Sequence, residues 1–172
     1  MISVGKLDNT PVGTIWIAAS EKGLVAVSLW DDEDRFRADI VRITGEYPEG
    51  TGETSLLLVK AVSELDAYLR GELHEFTVPI DRSHLKPFQR EALELVSAVP
   101  YGQTTSYGAI AEQLGKPGAV RAVGRANATN PMPIFIPCHR VLGSDGKLHG
   151  YGARGGVETK AWLLKLEGSW LI

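Results

Sequence analysis

Cysteine is nearly absent from this 172-residue chain, which contains only Cys138. A single thiol excludes an intrachain disulfide framework and any zinc or iron–sulfur site that needs several thiolates. No stretch approaches the ~18 consecutive apolar residues of a membrane span, and the N-terminus lacks the apolar core of a signal peptide. We therefore expect a cytoplasmic protein in a reducing compartment, with no membrane partner and no metal.

An excess of charge of one sign is also lacking, since 18 basic and 21 acidic side chains leave a net charge of −3. Hydrophobic residues form 44% of the chain and charged residues 23%, which is typical of a folded globular protein rather than a disordered one. The two halves nevertheless differ. Residues 1–85 carry 8 basic and 15 acidic side chains, whereas residues 86–172 carry 10 and 6. The positive second half indicates either an anionic partner or an ordinary solvated face.

The first half reads as strands followed by a helix. Apolar residues alternate with other residues in three segments: the opening residues, VGTIWIAA and LVAVSLW. Turn residues separate the segments, which predicts an antiparallel meander. The acidic stretch DDEDRFRADI is interpreted as the start of a surface excursion. Leu58, Val62, Leu65 and Leu69 have helical spacing ahead of Gly71, and EFTVPID is interpreted as a short edge strand. We place two domains at residues 1–82 and 86–172.

The second half is predicted to be mainly helical. One helix begins at Pro87, and another begins near Ser106, a suitable N-cap, and ends near Gly115. The turn KPG separates it from a third helix in AVRAVGRANA, which is the helix-turn-helix pattern. That third helix combines small residues with Arg121 and Arg125. Such a surface permits close approach to a DNA minor groove, or else tight packing against another helix, and composition leaves both readings open.

Cys138 is the centre of the chemical interpretation. It follows the apolar run IFI, predicted to be a short buried extended segment, and it lies between Pro137 and His139. A lone cysteine is often a small buried hydrophobe, but a neighbouring imidazole can raise its thiolate fraction, and a carboxylate can orient that imidazole. A cysteine hydrolase would use the same groups and would turn over. A DNA-binding regulator would need side chains that hydrogen-bond to the edges of the bases, and the Ala- and Gly-rich helix has few of them.

The motif IPCHRV resembles the active-site motif of the O6-alkylguanine-DNA alkyltransferases. The similarity extends continuously from about Pro87 to Gly168, through PYGQTTSYGAIAEQLGKPGAVRAVGRANATNPMP and GGVETKAWLLKLEG. The fold expected is α+β with two domains. The first is a ribonuclease-H-like α/β domain with an antiparallel sheet, and the second is a mainly helical, winged-helix-like domain with a helix-turn-helix. A non-enzymatic, alkyltransferase-like member is disfavoured because that class replaces the cysteine.

The resemblance implies a role for each matching residue. Cys138 would accept an alkyl group from guanine, with His139 acting as its base through a water molecule and Glu167 holding His139. Tyr107 would donate a proton to the departing guanine, and Asn130 would tie the recognition helix to the active-site segment. Arg121 would enter the DNA in place of the extruded nucleotide. Further DNA contacts are expected from the adjoining residues Ser106, Ala122, Gly124 and Arg125. The base pocket is expected to be lined by Pro133, Val141, Tyr151, Gly152 and Ala153.

The implied activity is direct reversal of DNA damage. The protein would take a methyl or other alkyl group from O6-alkylguanine in duplex DNA, once per molecule, without a cofactor. O4-alkylthymine as a second substrate and cooperative assembly of the monomer on DNA are left open. One departure is the loop after Tyr151, which is about two residues longer than the family form and has Gly152 where some members have serine. Gly152 has only a backbone N–H to offer the guanine oxygen.

Overall fold

The computed structural model describes residues 1–29, 32–49, 55–148 and 156–170. The chain forms two compact units, Met1–His84 and Leu85–Ile172. No helix among the described residues is long and apolar enough to cross a bilayer.

The first unit is built on a three-stranded antiparallel sheet. Strands β1 (Ser3–Thr10), β2 (Gly13–Ala19) and β3 (Leu24–Leu29) pair in chain order, which confirms the predicted meander. Val4, Ala18 and Ala26 are register partners on one face of the sheet, and they form a buried core with Phe36 and Ile40. Every residue of β3 is buried, so this strand lies within the core of the unit although β2 is the one strand of the sheet beside it.

The acidic stretch after β3 is a helix, and its interpretation as the start of a surface excursion is wrong. Helix α1 (Glu33–Thr44) begins at the N-cap Asp32, whose side chain accepts a hydrogen bond from the Arg35 amide. Acidic residues in the first turn are favourable at the positive end of a helix dipole, so this acidic run is a helix start. The helix packs against β2 and β3.

Helix α2 (Leu56–Leu69) confirms the predicted helix, and it packs against β1 and β2. The segment EFTVPID was expected to form an edge strand. That prediction is wrong except at one position, where a residue pairs with β3. Ile80 forms a single bridge with Leu24, supported by hydrogen bonds from the Leu24 amide to the Pro79 carbonyl and from the Asp81 amide to the Leu24 carbonyl. Proline has no amide hydrogen, so pairing does not continue along this segment.

The second unit contains four helices in its described part: α3 (Pro87–Ser97), α4 (Tyr107–Gln113), α5 (Val120–Ala128) and α6 (Gly156–Leu166). The strands β4 (Thr105–Ser106) and β5 (Val141–Leu142) form a short parallel pair. Pro87 is the first residue of α3, and Ser106 caps α4 by accepting a hydrogen bond from the Ala109 amide at 3.0 Å, both as predicted. Helices α4 and α5 pack together across the turn after Gly115, which confirms the helix-turn-helix.

The segment between α5 and the cysteine is buried but not extended, so that part of the prediction is wrong. Ile134 adopts a left-handed conformation with φ of 74°, which is rare for a β-branched side chain. The Ile136 amide donates to the Met132 carbonyl at 2.9 Å and closes a turn there. The chain then enters a single 3-10 turn, Cys138–Arg140, and this turn leads directly into β5.

Helix α6 packs against that 3-10 turn. Val157, in the first turn of α6, is exposed. The buried residues of α6 are Thr159, Lys160, Leu163 and Leu164, with Glu167 directly after its end. The buried face therefore includes charged positions, and hydrophobic periodicity cannot identify a buried charge.

Candidate active site

The sulfur-bearing residue occupies the start of the 3-10 turn. Cys138 is 2% exposed, and its amide donates to the Ile136 carbonyl at 2.7 Å. Its own carbonyl accepts a hydrogen bond from Asn127 Nδ2 of α5 at 3.1 Å. Both backbone groups of Cys138 are thus held, one by the preceding turn and one by the second helix of the helix-turn-helix.

A buried charge cluster adjoins Cys138. The Nε2 atom of His139 lies 2.8 Å from Glu167 Oε1. Arg140 donates to the same carboxylate twice, from Nε to Oε2 at 2.9 Å and from Nη2 to Oε1 at 2.8 Å. Its remaining nitrogen, Nη1, donates to the Val99 carbonyl at 2.7 Å. The carboxylate is held in one plane by the guanidinium and presents a fixed acceptor to His139.

The protonation of His139 follows from this geometry. An ionised carboxylate only accepts hydrogen bonds, so the imidazole proton lies on Nε2 and the lone pair lies on Nδ1. Burial lowers the pKa of His139 below its usual range, and the nearby charges of Arg140 and Lys160 lower it further, although Glu167 acts in the opposite direction. His139 is therefore a neutral imidazole at pH 7, able to accept a proton at Nδ1.

Tyr107 is the first residue of α4 and is half-buried. Burial raises the pKa of its hydroxyl, and the nearby Cys138 raises it further, while a hydrogen bond from Asn127 lowers it. The hydroxyl consequently keeps its proton at neutral pH. The described site pairs a proton acceptor, His139, with a proton donor, Tyr107, close to a single thiol.

Lys160 is a functional candidate that the sequence reasoning missed. Its side chain is fully buried, its Nζ donates to the Val141 carbonyl at 2.7 Å, and it lies 5.8 Å from the centre of the Tyr107 ring. Burial lowers the pKa of Lys160 to about 8, partly offset by the nearby Cys138. Lys160 lies in α6 and Glu167 directly follows its end, seven residues or about two helical turns later, so both charged groups lie on the buried side of this segment.

Two asparagines hold the active-site segment, and only one was predicted. Asn130 donates from Nδ2 to the Ile136 carbonyl and accepts from the Met132 amide, each at 3.0 Å, so it closes the turn that precedes Cys138. The direct contact from α5 to Cys138 is made by Asn127 instead. The available signal was a lone amide on the helix face that also carries Val123 and Ala126.

The predicted DNA-facing residues lie on and beside the helix-turn-helix. Arg121, Ala122 and Arg125 are exposed on α5, and Gly124 is half-buried, with nothing within 4 Å of a Cβ built on it. The Ser106 hydroxyl serves as the cap of α4. Of the predicted base pocket, Pro133 and Val141 are buried beside the cysteine segment. Tyr151, Gly152 and Ala153 lie outside the described residues.

No group of three or more His, Cys, Asp or Glu side chains within the described ranges is arranged to hold a metal ion. The polar groups beside Cys138, namely His139, Arg140 and Glu167, are joined to one another by hydrogen bonds. In the sequence, Arg140 is visible only as the basic residue that follows His139 in the motif IPCHRV. The structure makes it the group that holds Glu167, and Tyr101 stacks against it at 5.7 Å from the ring centre.

Two family models match the chain. The ribonuclease-like domain of 6-O-methylguanine DNA methyltransferase matches residues 5–82, and the DNA-binding domain of the same family matches residues 87–169. Together with the antiparallel sheet followed by helices, these matches confirm the predicted fold class.

Curated relatives share the name methylated-DNA--protein-cysteine methyltransferase. The one from Mycolicibacterium paratuberculosis is 50% identical over 161 residues, which are 92% of this chain and 88% of that protein. The one from Methanosarcina acetivorans is 39% identical over 161 residues, 94% of this chain and 96% of that protein. The match to the Mycobacterium leprae protein, 53% identical over 108 residues, spans only 63% of this chain and 64% of that protein.

Solved structures resemble the chain over most of its length. The crystal structure of Mycobacterium tuberculosis O6-methylguanine methyltransferase superimposes with a TM-score of 0.78 at 39% identity, covering 100% of this chain and 96% of that one. The structure of Mycobacterium tuberculosis OGT in complex with DNA has the same TM-score and identity, covering 97% and 93%.

Proposed function

The chain belongs to the O6-methylguanine DNA methyltransferase family, and from that membership we propose that it repairs DNA by moving an alkyl group from O6-alkylguanine to the Cys138 sulfur. The observation that carries this proposal is the 2.8 Å contact between His139 Nε2 and Glu167 Oε1 beside the only thiol. That contact leaves the basic nitrogen of His139, Nδ1, as the atom that can take the thiol proton.

The transfer is a displacement at carbon. His139 removes the thiol proton through a water molecule, the sulfur attacks the alkyl carbon, and the bond from that carbon to the guanine oxygen breaks. The electron pair passes to guanine, which takes a proton from Tyr107. The product on Cys138 is a thioether, which acid and base groups of this kind do not cleave, so each molecule reacts once.

The substrate is proposed to be duplex DNA, contacted through α5 by a protein monomer. The lesion lies inside the base stack, so the nucleotide must be extruded at a cost of a few kcal/mol. The small residues Ala122 and Gly124 allow the helix to approach a minor groove closely, and Arg121 fills the position of the extruded nucleotide. The need for a reduced thiol fits a reducing compartment, and we propose the cytoplasm.

The decisive test is intact-mass measurement after the protein is mixed with excess duplex DNA containing O6-methylguanine. We expect one methyl group per chain, located on the Cys138 peptide, and then no further reaction. Cys138→Ala is expected to take up no methyl group while still binding the duplex. Repeated turnover by the wild-type chain would favour a cysteine hydrolase or acyltransferase, and methyl uptake by Cys138→Ala would refute the assignment of the acceptor.

The DNA-binding role of α5 can be tested separately. Arg121→Ala is expected to weaken duplex binding, to reduce the slope of log affinity against log salt by about one, and to slow repair of duplex substrate. Transfer from the free modified base should be unchanged, because no nucleotide is extruded there. Lys165→Ala, which removes an exposed charge from α6, is the matched control and should leave all three quantities unchanged.

A further inference from the structure

A tight turn between α3 and β4 presents Tyr101 to the buried charge cluster. The Gln103 amide closes the turn by donating to the Pro100 carbonyl at 3.1 Å, and Gly102 has a φ of 77°. A positive φ at the third of four residues is typical of a type II turn, in which glycine is favoured at that position. A Cβ on Gly102 would lie 3.3 Å from the Glu167 carbonyl oxygen, so the turn lies close to the end of α6.

The Tyr101 ring contacts one partner of the buried ion pair directly. The guanidinium carbon of Arg140 lies over this ring, 5.7 Å from its centre. The edges of the guanidinium are used in hydrogen bonds, since Nε and Nη2 donate to Glu167 and Nη1 donates to the Val99 carbonyl. Stacking on an aromatic ring and bidentate bonding to a carboxylate are both characteristic of arginine. Tyr101 therefore limits how far the guanidinium can tilt out of the plane of the carboxylate.

The Tyr101 hydroxyl holds the helix end that carries the other partner. The last four carbonyls of a helix have no partner within the helix. In α6, three of them accept hydrogen bonds from backbone amides just beyond the helix: those of Leu163, Leu164 and Lys165. The fourth, Leu166, accepts from the Tyr101 hydroxyl at 3.3 Å, and the next residue is Glu167. One side chain thus contacts both Arg140 and the residue that precedes Glu167.

The placement of this ion pair decides the state of His139. Its Nε2 atom donates to Glu167 Oε1 at 2.8 Å, so a carboxylate that turned away would remove the acceptor of that proton. Burial lowers the pKa of His139, and the charges of Arg140 and Lys160 lower it further, whereas Glu167 raises it. If Arg140 moved away from the pair, or if water entered the cluster, His139 would bind a proton more tightly. A protonated His139 has no lone pair on Nδ1.

We propose that Tyr101 is a positioning residue for alkyl transfer, which holds the buried ion pair in the arrangement that keeps His139 neutral, with its lone pair on Nδ1. This proposal rests on the proposed function. In that reaction the Cys138 thiol proton passes through water to Nδ1, the sulfur–carbon bond forms, the carbon–oxygen bond breaks, and guanine leaves with the electron pair and is protonated. Tyr101 acts through the ion pair and not on the reacting atoms.

The test observes His139 directly, by NMR of its isotope-labelled ring nitrogens in the wild-type chain and in two variants. Tyr101→Leu removes the ring and the hydroxyl, whereas Tyr101→Phe keeps the ring. The wild type should hold a neutral imidazole with its proton on Nε2, titrating below the ordinary value of 6.5. Tyr101→Leu should raise the midpoint by roughly one pH unit or more, the effect of one nearby charge. Tyr101→Phe should change it by less than about 0.3 pH unit.

The pH dependence of methyl transfer is the second measurement. In single-turnover reactions with O6-methylguanine DNA, Tyr101→Leu should move the acidic limb of the rate profile upward together with the His139 midpoint. Below the midpoint, a shift of about one pH unit is about a tenfold loss of rate, whereas the loss near pH 8 should be less than about threefold. A side chain that only supported the fold would slow transfer by the same factor at every pH.

Phe88→Leu is the matched control. Phe88 is another half-buried aromatic residue of the second unit, and its ring centre lies 5.4 Å from the Nζ atom of Lys116. Losing this stacked ring should leave the His139 midpoint unchanged. Should Tyr101→Leu fail to fold, judged by circular dichroism, Tyr101→Met takes its place in both measurements.

The outcomes are distinct. An unchanged His139 midpoint in Tyr101→Leu would overturn the proposal whatever happened to the rate, and so would an equal shift in Phe88→Leu. A shift of the same size in Tyr101→Phe would overturn the role given to the stacked ring. The NMR measurement needs no DNA. A wild-type chain whose His139 titrates as expected, but which takes no methyl group from O6-methylguanine DNA, would therefore overturn the proposed function instead.

Discussion

Glu167→Gln removes one charge from the centre of the buried cluster while preserving side-chain volume. The carboxylate accepts three hydrogen bonds, one from His139 Nε2 and two from Arg140, and its side chain is fully buried. A glutamine amide has a single oxygen. If the amide oxygen takes the place of Oε1, it accepts from His139 and from Nη2 of Arg140, but the amide nitrogen then faces the Nε–H of Arg140. If the amide oxygen takes the place of Oε2, the amide nitrogen faces His139.

Either orientation brings two donors together or forces His139 to move its proton to Nδ1. In every case the neutral amide leaves the Arg140 charge unneutralised in the interior, and breaking a buried ion pair by removing one partner costs about 3–5 kcal/mol of the free energy of unfolding. The second outcome removes the basic lone pair from the nitrogen that serves Cys138. In serine proteases the comparable change of the orienting carboxylate lowers kcat by about 10⁴, so we expect a slowing of a hundredfold or more here.

Two measurements check this prediction: urea denaturation for the free energy of unfolding, and single-turnover methyl transfer from O6-methylguanine DNA for the rate. Glu158→Gln is the control, since Glu158 is exposed in the first turn of the same helix and its loss should change stability by less than about 1 kcal/mol. A Glu167→Gln chain with wild-type stability and wild-type transfer rate would refute the assignment of the carboxylate as the support of both His139 and Arg140.

Three further predictions concern Lys160 and two glycines. Burial lowers the pKa of Lys160 from 10.5 to about 8, so the Lys160 amine binds a proton more tightly in the unfolded chain than in the folded one. The stability of wild type relative to Lys160→Met should therefore rise by up to about 3 kcal/mol as the pH rises from 8 to 10.5; a difference that stays constant would contradict this. Gly23→Ala should destabilise the first unit by about 1–3 kcal/mol or more in urea denaturation, because its Cβ would lie 2.5 Å from the Pro79 carbonyl oxygen; unchanged stability would contradict that contact. Gly124→Ala should raise stability by about 1 kcal/mol yet weaken duplex binding in a fluorescence titration, and stronger binding would argue against close approach of α5 to DNA.

Local signals in the sequence predicted local structure well. The alternating strands, Pro87 at the start of α3 and Ser106 as the cap of α4 depend only on neighbours a few residues away, and all were confirmed. Three local interpretations were wrong, one of them the edge strand expected over EFTVPID, which pairs at Ile80 alone. The acidic run after β3 begins a helix, and the run IFI is a turn rather than a strand, because Ile134 adopts a left-handed conformation. Tertiary contacts on both sides of that turn outweigh the extended preference of its side chains.

The resemblance implied roles for Cys138, His139 and Glu167, and the structure adds the groups that contact them. His139 and Glu167 are 28 residues apart in the chain, and their contact depends on α6 packing against the 3-10 turn. Arg140 was visible in the sequence only as an adjacent charge, with no sign that it would hold Glu167.

The sequence by itself determined which atoms can react, since one thiol, one adjacent imidazole and a helix-turn-helix pattern are properties of composition and spacing. The tertiary structure alone decided how their protonation is controlled. Nothing in the linear sequence marks Lys160 or Asn127, and Arg140 is visible there only as a charge close to Cys138; all three adjoin the site because packing buries them. Burial strengthens every charge and hydrogen bond among them, and burial is set by contacts between segments far apart in the sequence.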